Sequence, residues 1–377
     1  MRINKVIVAS DSFKGTLTSL RIGEIVREEF KREFENVNVK VIPIADGGEG
    51  TVDAFINAIN AKEYHVSVHN ALNEVTDARY AIYRKTAIIE MAEAAGLPKV
   101  KEKKALLAST YGVGEIIRDA LNKDIDSLLI GLGGSATNDG GCGCFASLGT
   151  RFFDENGNEF IPVGGTLRNI RRIDNSRTEE LLKGIKATIM CDVKNPLCGE
   201  KGAAKVFGPQ KGASEDDIKV IDEGLRNLAF VVKRDLGIDI LDKEGAGAAG
   251  GMGGGSMAFL NGELKSGIEA LLETCEFDEE LKDTDLVISG EARLDFQSLD
   301  GKVISGIGSH CKNKNVRLYL IVADFMDNAK DVYSYGIDRV YITNKLHLPV
   351  EEHKKRSLED YIATVREMIG DIKNETE

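Results

Sequence analysis

The residues of this 377-residue chain that could do chemistry sit in short, glycine-flanked runs. Ser10-Asp11-Ser12-Phe13-Lys14-Gly15-Thr16 gathers a carboxylate, hydroxyls and a lysine, and Lys14 can hold a phosphate or carboxylate as a point charge. Ala45-Asp46-Gly47-Gly48-Glu49-Gly50-Thr51 opens a helical pattern, where glycines bare backbone N–H groups and Asp46 and Glu49 offer hard oxygen donors. A helix cap and a tight turn would explain either run alone. Together they point at one crevice.

The richest run is Gly131-Leu132-Gly133-Gly134-Ser135-Ala136-Thr137-Asn138-Asp139-Gly140-Gly141, which follows an apolar strand and precedes a helix. Such a turn cradles phosphates through backbone amides, with Ser135 and Thr137 as further donors, and Asp139 suits a Mg²⁺-nucleotide. Gly131 to Ala136 also fits the G-x-G-x-x-A dinucleotide pattern, and Asp154 follows about 20 residues on, so a nicotinamide-dependent oxidoreductase is a genuine rival. Cys191-Asp192-Val193-Lys194-Asn195-Pro196 sets Asp192 at a strand end, as a catalytic or metal-binding carboxylate or as a plain Asx turn. Gly208-Pro209-Gln210-Lys211-Gly212 adds a cationic loop. Glu291-Ala292-Arg293-Leu294-Asp295, followed by Gly301-Lys302, brings two carboxylates and two cations to one loop, where Arg293 could grip a substrate carboxylate bidentately. No G-x-x-x-x-G-K-[ST] and no H-R-D loop occurs, so the P-loop and protein-kinase classes lack support.

The elements that must position these runs follow from apolar periodicity. Lys5 to Ala9 and Val39 to Ile44 read as strands, each followed by a helix. From Tyr64 to Met91 three short strands succeed one another without helices, which marks a different domain. Alternation returns with strands at Leu286–Ser289, Val316–Val322 and Asp338–Thr343 and a closing helix through Leu358 to Ile372. The expected fold is therefore α/β: residues 1–62 and 283–377 form a discontinuous, flavodoxin-like, doubly wound parallel sheet. Residues 63–282 form an inserted mixed α/β domain, with the active site expected in the cleft between the two. Gly245 to Gly262 is about half glycine and is expected to be a loop, either mobile or closely approaching, or else a plain linker.

Composition narrows the classes further. With 49 lysines and arginines against 61 aspartates and glutamates the formal charge is −12, and no basic stripe offsets it, so no nucleic-acid partner is expected. Neither a signal-peptide core nor a membrane-spanning run is found, so no membrane partner and a cytoplasmic location are expected. The six cysteines lack paired metal-ligand spacing and are read as reduced.

At these runs the sequence resembles the type-1 glycerate kinase family. The matching blocks are VASDSFKGTLTS (Val8 to Ser19), PIADGGEGTVDAF (Pro43 to Phe55), GLGGSATNDGG (Gly131 to Gly141), CDVKNPLCGEKGAAKVFGPQKGA (Cys191 to Ala213), GAGAAGGMG (Gly245 to Gly253) and ISGEARLDFQSLDGK (Ile288 to Lys302). The resemblance implies transfer of the ATP γ-phosphoryl group to D-glycerate with Mg²⁺, giving 2-phosphoglycerate. On that reading Gly133, Gly134, Ser135, Ala136, Thr137, Asn138 and Asp139 hold the nucleotide phosphates, and Asp139 or Asp192 reaches the metal. Asp11, Ser12, Lys14, Asp46, Glu291, Arg293 and Lys302 bind the acid and the transferring group, and Asp192, then Asp295, takes the hydroxyl proton. Ala292, Ile304 and Asp324 depart from the family pattern, and an alanine at a positive-φ site 292 would cost of order 1 kcal/mol. A metabolite-binding paralogue without turnover is the third reading. Oligomeric state stays open, a homo-oligomer included.

Overall fold

The computed structural model describes residues 3–13, 15–44, 50–294, 303–326 and 332–375. The chain divides into two compact units, one of Met1–Ala45, Asn57–Ile59 and Ile268–Glu377, the other of Asp46–Ile56 and Asn60–Gly267.

The first unit is built on a wholly parallel five-stranded sheet. Its spatial order is Asn38–Val41, Lys5–Val8, Leu286–Leu294, Arg317–Phe325, Arg339–Ile342, the flavodoxin-like order with two strands from the start of the chain and three from its end. Period-2 alternation puts Val6, Val8, Ile288, Tyr319 and Ile321 into one buried cluster. Against them pack the stripe Ile22, Ile25, Val26, Phe30 of helix Ser19–Glu33 and the stripe Tyr361, Val365, Met368, Ile369, Ile372 of helix Val350–Asn374.

One boundary differs in a way that matters for the site. Glu291, Ala292 and Arg293 belong to a strand, Leu286–Leu294, rather than to a loop. The neighbouring strand Arg317–Phe325 is equally long and supplies ladder partners, Glu291 opposite Val322 and Arg293 opposite Asp324. Ala292 is absent from the positive-φ residues, so the expected backbone penalty does not arise.

The second unit carries a mixed six-stranded sheet, ordered Glu263–Lys265, Lys186–Met190, Ser127–Gly131, Thr86–Glu90, Val75–Tyr83, Lys62–His69. The first four strands run parallel and the last two add the expected meander. A small antiparallel sheet of Arg151–Phe153, Glu159–Phe160 and Arg172–Asp174 stands apart.

The glycine-rich stretch is not the loop that its composition suggests. Ala248–Leu260 is helical apart from left-handed backbone at Ala249, Gly250 and Gly251 (φ 52°, 67° and 93°), and nearly all of it is buried. Glycine disfavours a helix by roughly 1 kcal/mol per residue, but close approach overrides that preference here. A Cβ on Gly250 would lie 2.0 Å from the Thr137 carbonyl oxygen, and one on Gly255 would lie 2.3 Å from that of Gly140. Composition registers the glycines; only packing shows that they make room for the Gly131–Gly141 turn.

Candidate active site

In the first unit, the ends of three parallel strands are tied together by hydrogen bonds. The Ala9 and Asp11 amides donate to the Ile288 and Gly290 carbonyls (2.8 and 2.9 Å), so the first strand's exit stays on the strand that bears Glu291 and Arg293. Gly290 is required there, since a Cβ would lie 2.0 Å from the Ile321 carbonyl oxygen. Asp11 turns its carboxylate back onto the Ser12 amide (2.6 Å). Ser19, at the start of helix Ser19–Glu33, donates to the Ser10 carbonyl (2.5 Å) and accepts from the Ile44 amide (2.8 Å), joining the first and second strand exits. Arg293 is exposed. Asp324, its register partner, accepts from Asn344 Nδ2 (3.1 Å). The structure thus brings Asp11, Ser12, Glu291 and Arg293 to one sheet edge, the edge where ligands bind in such sheets. Lys14, Asp46, Asp295 and Lys302 lie outside the described residues.

In the second unit the corresponding edge holds Glu90, the Gly131 turn and Asp192. Glu90 and Met190 are both in register with Gly131, and Asp192 follows two positions after Met190. The turn is largely interior: Gly134 (φ 72°) faces solvent and Gly133 is half-buried, whereas Ser135 through Asp139 are buried. The Ala136 amide donates to the Ala95 carbonyl (2.8 Å), the Gly140 amide to the Gly250 carbonyl (3.1 Å).

Asp139 departs from its expected part. Its carboxylate is fully buried and accepts from the Thr110 amide and hydroxyl (2.7 and 2.8 Å), the Gly141 amide (3.1 Å) and the Gly143 amide (3.2 Å). A carboxylate so placed anchors the turn to the start of helix Cys142–Leu148, and an incoming Mg²⁺ would have to displace those donors. Burial pushes its pKa up, and the hydrogen bonds from Thr110, Gly141 and Gly143 oppose the push. Sequence reading took its type correctly and could not see its burial.

Asp192 is exposed, and its Oδ1 accepts from the Gly267 amide (2.9 Å). Among the described residues it is the expected site carboxylate of this unit that faces solvent. Among the described residues no three His, Cys, Asp or Glu side chains gather as a ready metal cage. Mg²⁺ is commonly held by one or two carboxylates together with substrate phosphates and water, and an exposed carboxylate at the same sheet edge as a phosphate-type turn fits that habit.

Glu90 escaped sequence reading because it ends an apolar strand and carries no motif. It is buried, accepts from the Gly50 amide at the start of helix Thr51–Ile59 (3.2 Å), and is pushed up to about 7 by burial and by neighbouring Glu93. Since the folded-state pKa lies above the unfolded one, the proton is held more tightly when folded. This contribution is fully present below about pH 4.5 and is lost as pH rises through about 7. Glu90→Gln should therefore remove about 1–3 kcal/mol of the pH dependence of unfolding free energy between pH 5 and 7.5. Urea denaturation at both pH values checks this, and an unchanged slope would reject it.

The comparisons come down on one family. A family model described as the glycerate kinase family matches residues 6–373. The chain belongs to the glycerate kinase family. A glycerate 2-kinase of Escherichia coli is 42% identical over 341 residues (89% of this chain, 90% of the relative), and a glycerate kinase of Bacillus subtilis is 39% identical over 373 residues (98% of each). A crystal structure of a putative glycerate kinase 2 from Salmonella typhimurium LT2 superposes with a TM-score of 0.87 at 35% identity, covering 100% of both chains. The family assignment leaves the dinucleotide rival without support, and so does geometry. Asp154 lies in an exposed turn of the small antiparallel sheet, its Oδ1 accepting from the Asn156 and Asn158 amides (both 2.9 Å), instead of ending a strand beside the Gly131 turn.

Proposed function

We propose that this chain is a small-molecule kinase that transfers the γ-phosphoryl group of ATP to D-glycerate and releases 2-phosphoglycerate and ADP. Membership of the glycerate kinase family along nearly the whole chain carries this reading. Phosphoryl transfer depends on positioning and charge neutralisation more than on covalent chemistry, and the residues divide accordingly. The accessible part of the Gly131 turn, Gly133 and Gly134 next to the buried Ser135, offers backbone N–H groups to the phosphates, because the Ala136, Gly140 and Gly141 amides already serve protein acceptors. Asp192 would hold Mg²⁺, which when bound neutralises charge on the β- and γ-phosphates. Arg293 grips the glycerate carboxylate, with Asp11, Ser12 and Glu291 beside it on the same sheet edge. Lys14, Asp46 and Lys302 complete the acid and phosphoryl subsites, and Asp295 orients the hydroxyl and takes its proton.

No helix among the described residues is long and apolar enough to cross a membrane. A coupled assay should show ADP formation that requires both ATP and glycerate, with product analysis separating the 2- from the 3-phosphate. Asp192→Asn and Arg293→Ala should each lower kcat/KM by about 10²-fold or more. Both side chains are exposed and Asp192→Asn keeps an acceptor oxygen for the Gly267 amide, so unfolding free energies should stay within about 1 kcal/mol of the parent. Near-normal turnover in both variants would overturn the residue assignment. No glycerate-dependent ADP formation by the parent would overturn the function.

A further inference from the structure

The GPQKG run reaches farther than a surface cationic loop. Pro209–Lys211 is a short 3₁₀ turn, closed by Gly212 in left-handed conformation (φ 87°) against Lys103, where a Cβ would lie 2.7 Å from the Lys103 Cβ. That closure turns Lys211 inward. Its side chain is among the largest fully buried ones in the chain, and its ammonium donates to the Thr137 carbonyl at 2.6 Å. Lysine is almost never buried unless a charge partner compensates; burial pushes the Lys211 ammonium down to about 7, and the charge of Asp139, two residues farther along the same turn as Thr137, opposes that push. Two more polar atoms of this turn are buried without a hydrogen-bond partner among the described residues, Thr137 Oγ1 and Asn138 Oδ1. A buried polar atom left unpaired in a folded protein calls for an explanation, and a ligand that completes the site is one.

Resting on the kinase reading, we infer that Lys211 is a positioning residue for the nucleotide: it braces the Thr137 carbonyl from behind and, in its ammonium form, places a positive charge beneath the phosphate-binding turn that arriving phosphates favour. In a low-dielectric interior an ammonium acts over several ångströms with little screening, and each added phosphate favours its charged form, so its effect grows with the number of phosphates on the ligand. A brace that only kept the turn in shape would serve all adenine nucleotides alike.

Titration calorimetry of the full chain with ATP, ADP and AMP, each with Mg²⁺ and without glycerate, separates the two. For Lys211→Met the dissociation constant should rise about tenfold for ATP, about threefold for ADP and less than about twofold for AMP, while the KM for glycerate in the coupled assay stays within about twofold. Lys211→Gln keeps a donor for the Thr137 carbonyl but no charge, and it should follow the same graded order. An equal loss for all three nucleotides, no loss, or parent-like ATP affinity in Lys211→Gln would overturn the inference. A parent chain that binds ATP but does not phosphorylate glycerate would overturn the substrate assignment and leave the graded series to decide on Lys211.

Discussion

Replacing Asp139 with alanine is expected to destabilise the chain by about 3–5 kcal/mol and to abolish nucleotide binding with it. The reason is the number of groups that depend on one carboxylate. Three backbone amides, of Thr110, Gly141 and Gly143, and the Thr110 hydroxyl all donate to it inside a fully buried site. Each buried donor left without an acceptor costs about 1–3 kcal/mol, and the buried Lys211 ammonium would lose the charge that offsets its own desolvation. Against a total stability of about 5–15 kcal/mol the loss is large. Asp139→Asn keeps the shape and one acceptor oxygen, so it should lose about half as much. Urea denaturation with an unchanged m-value measures both. Parent-like stability in Asp139→Ala, with only the Mg²⁺ requirement altered, would return this residue to the metal-ligand role that its type suggests.

The second large effect concerns a glycine. Gly250→Ala should destabilise by about 2–4 kcal/mol and raise the KM for ATP at least about tenfold. Gly250 has φ 67°, which costs an L-residue roughly 1 kcal/mol, and the added Cβ would lie 2.0 Å from the Thr137 oxygen and 2.7 Å from Asn138 Cα. Those atoms are backbone of the phosphate-type turn, so the overlap is relieved only by moving the turn itself. Gly157 makes the control: its φ of 78° is as restrictive, but nothing lies within 4 Å of a Cβ there. Gly157→Ala should cost about 1 kcal/mol and leave the KM for ATP unchanged. Similar kinetics in the two variants would show that the glycine-rich helix has no part in holding the turn.

Both effects turn on contacts that no local pattern announces. Apolar runs such as Lys5–Val8 and Leu286–Ile288 are legible because burial on both faces of a parallel sheet demands continuous hydrophobicity, and the stripes at Ile22 to Phe30 and Tyr361 to Ile372 are legible because a helix repeats every 3.6 residues. The positions of Ser12, Arg293 and Asp192 at strand ends follow from those boundaries to within a few residues. Glu90 is not legible in the sequence because a strand-terminal glutamate looks like any edge of an apolar run until a neighbouring amide and a buried setting give it work. The glycine-rich helix is not legible in the sequence because propensity is a local preference of a few kcal/mol at most, and close backbone approach outweighs it.

By itself, then, the sequence determined the α/β class, the parallel strand set drawn from both ends of the chain, the family and the residue types available for phosphoryl transfer, since each of these is written in nearest-neighbour periodicity or in contiguous blocks. Tertiary structure alone decided that Asp139 and Lys211 face inward while Asp192 and Arg293 face water. The physical reason is that burial and hydrogen-bond partners are set by residues distant in the chain, and an aspartate or lysine carries the same letter whether it anchors a turn or meets a substrate.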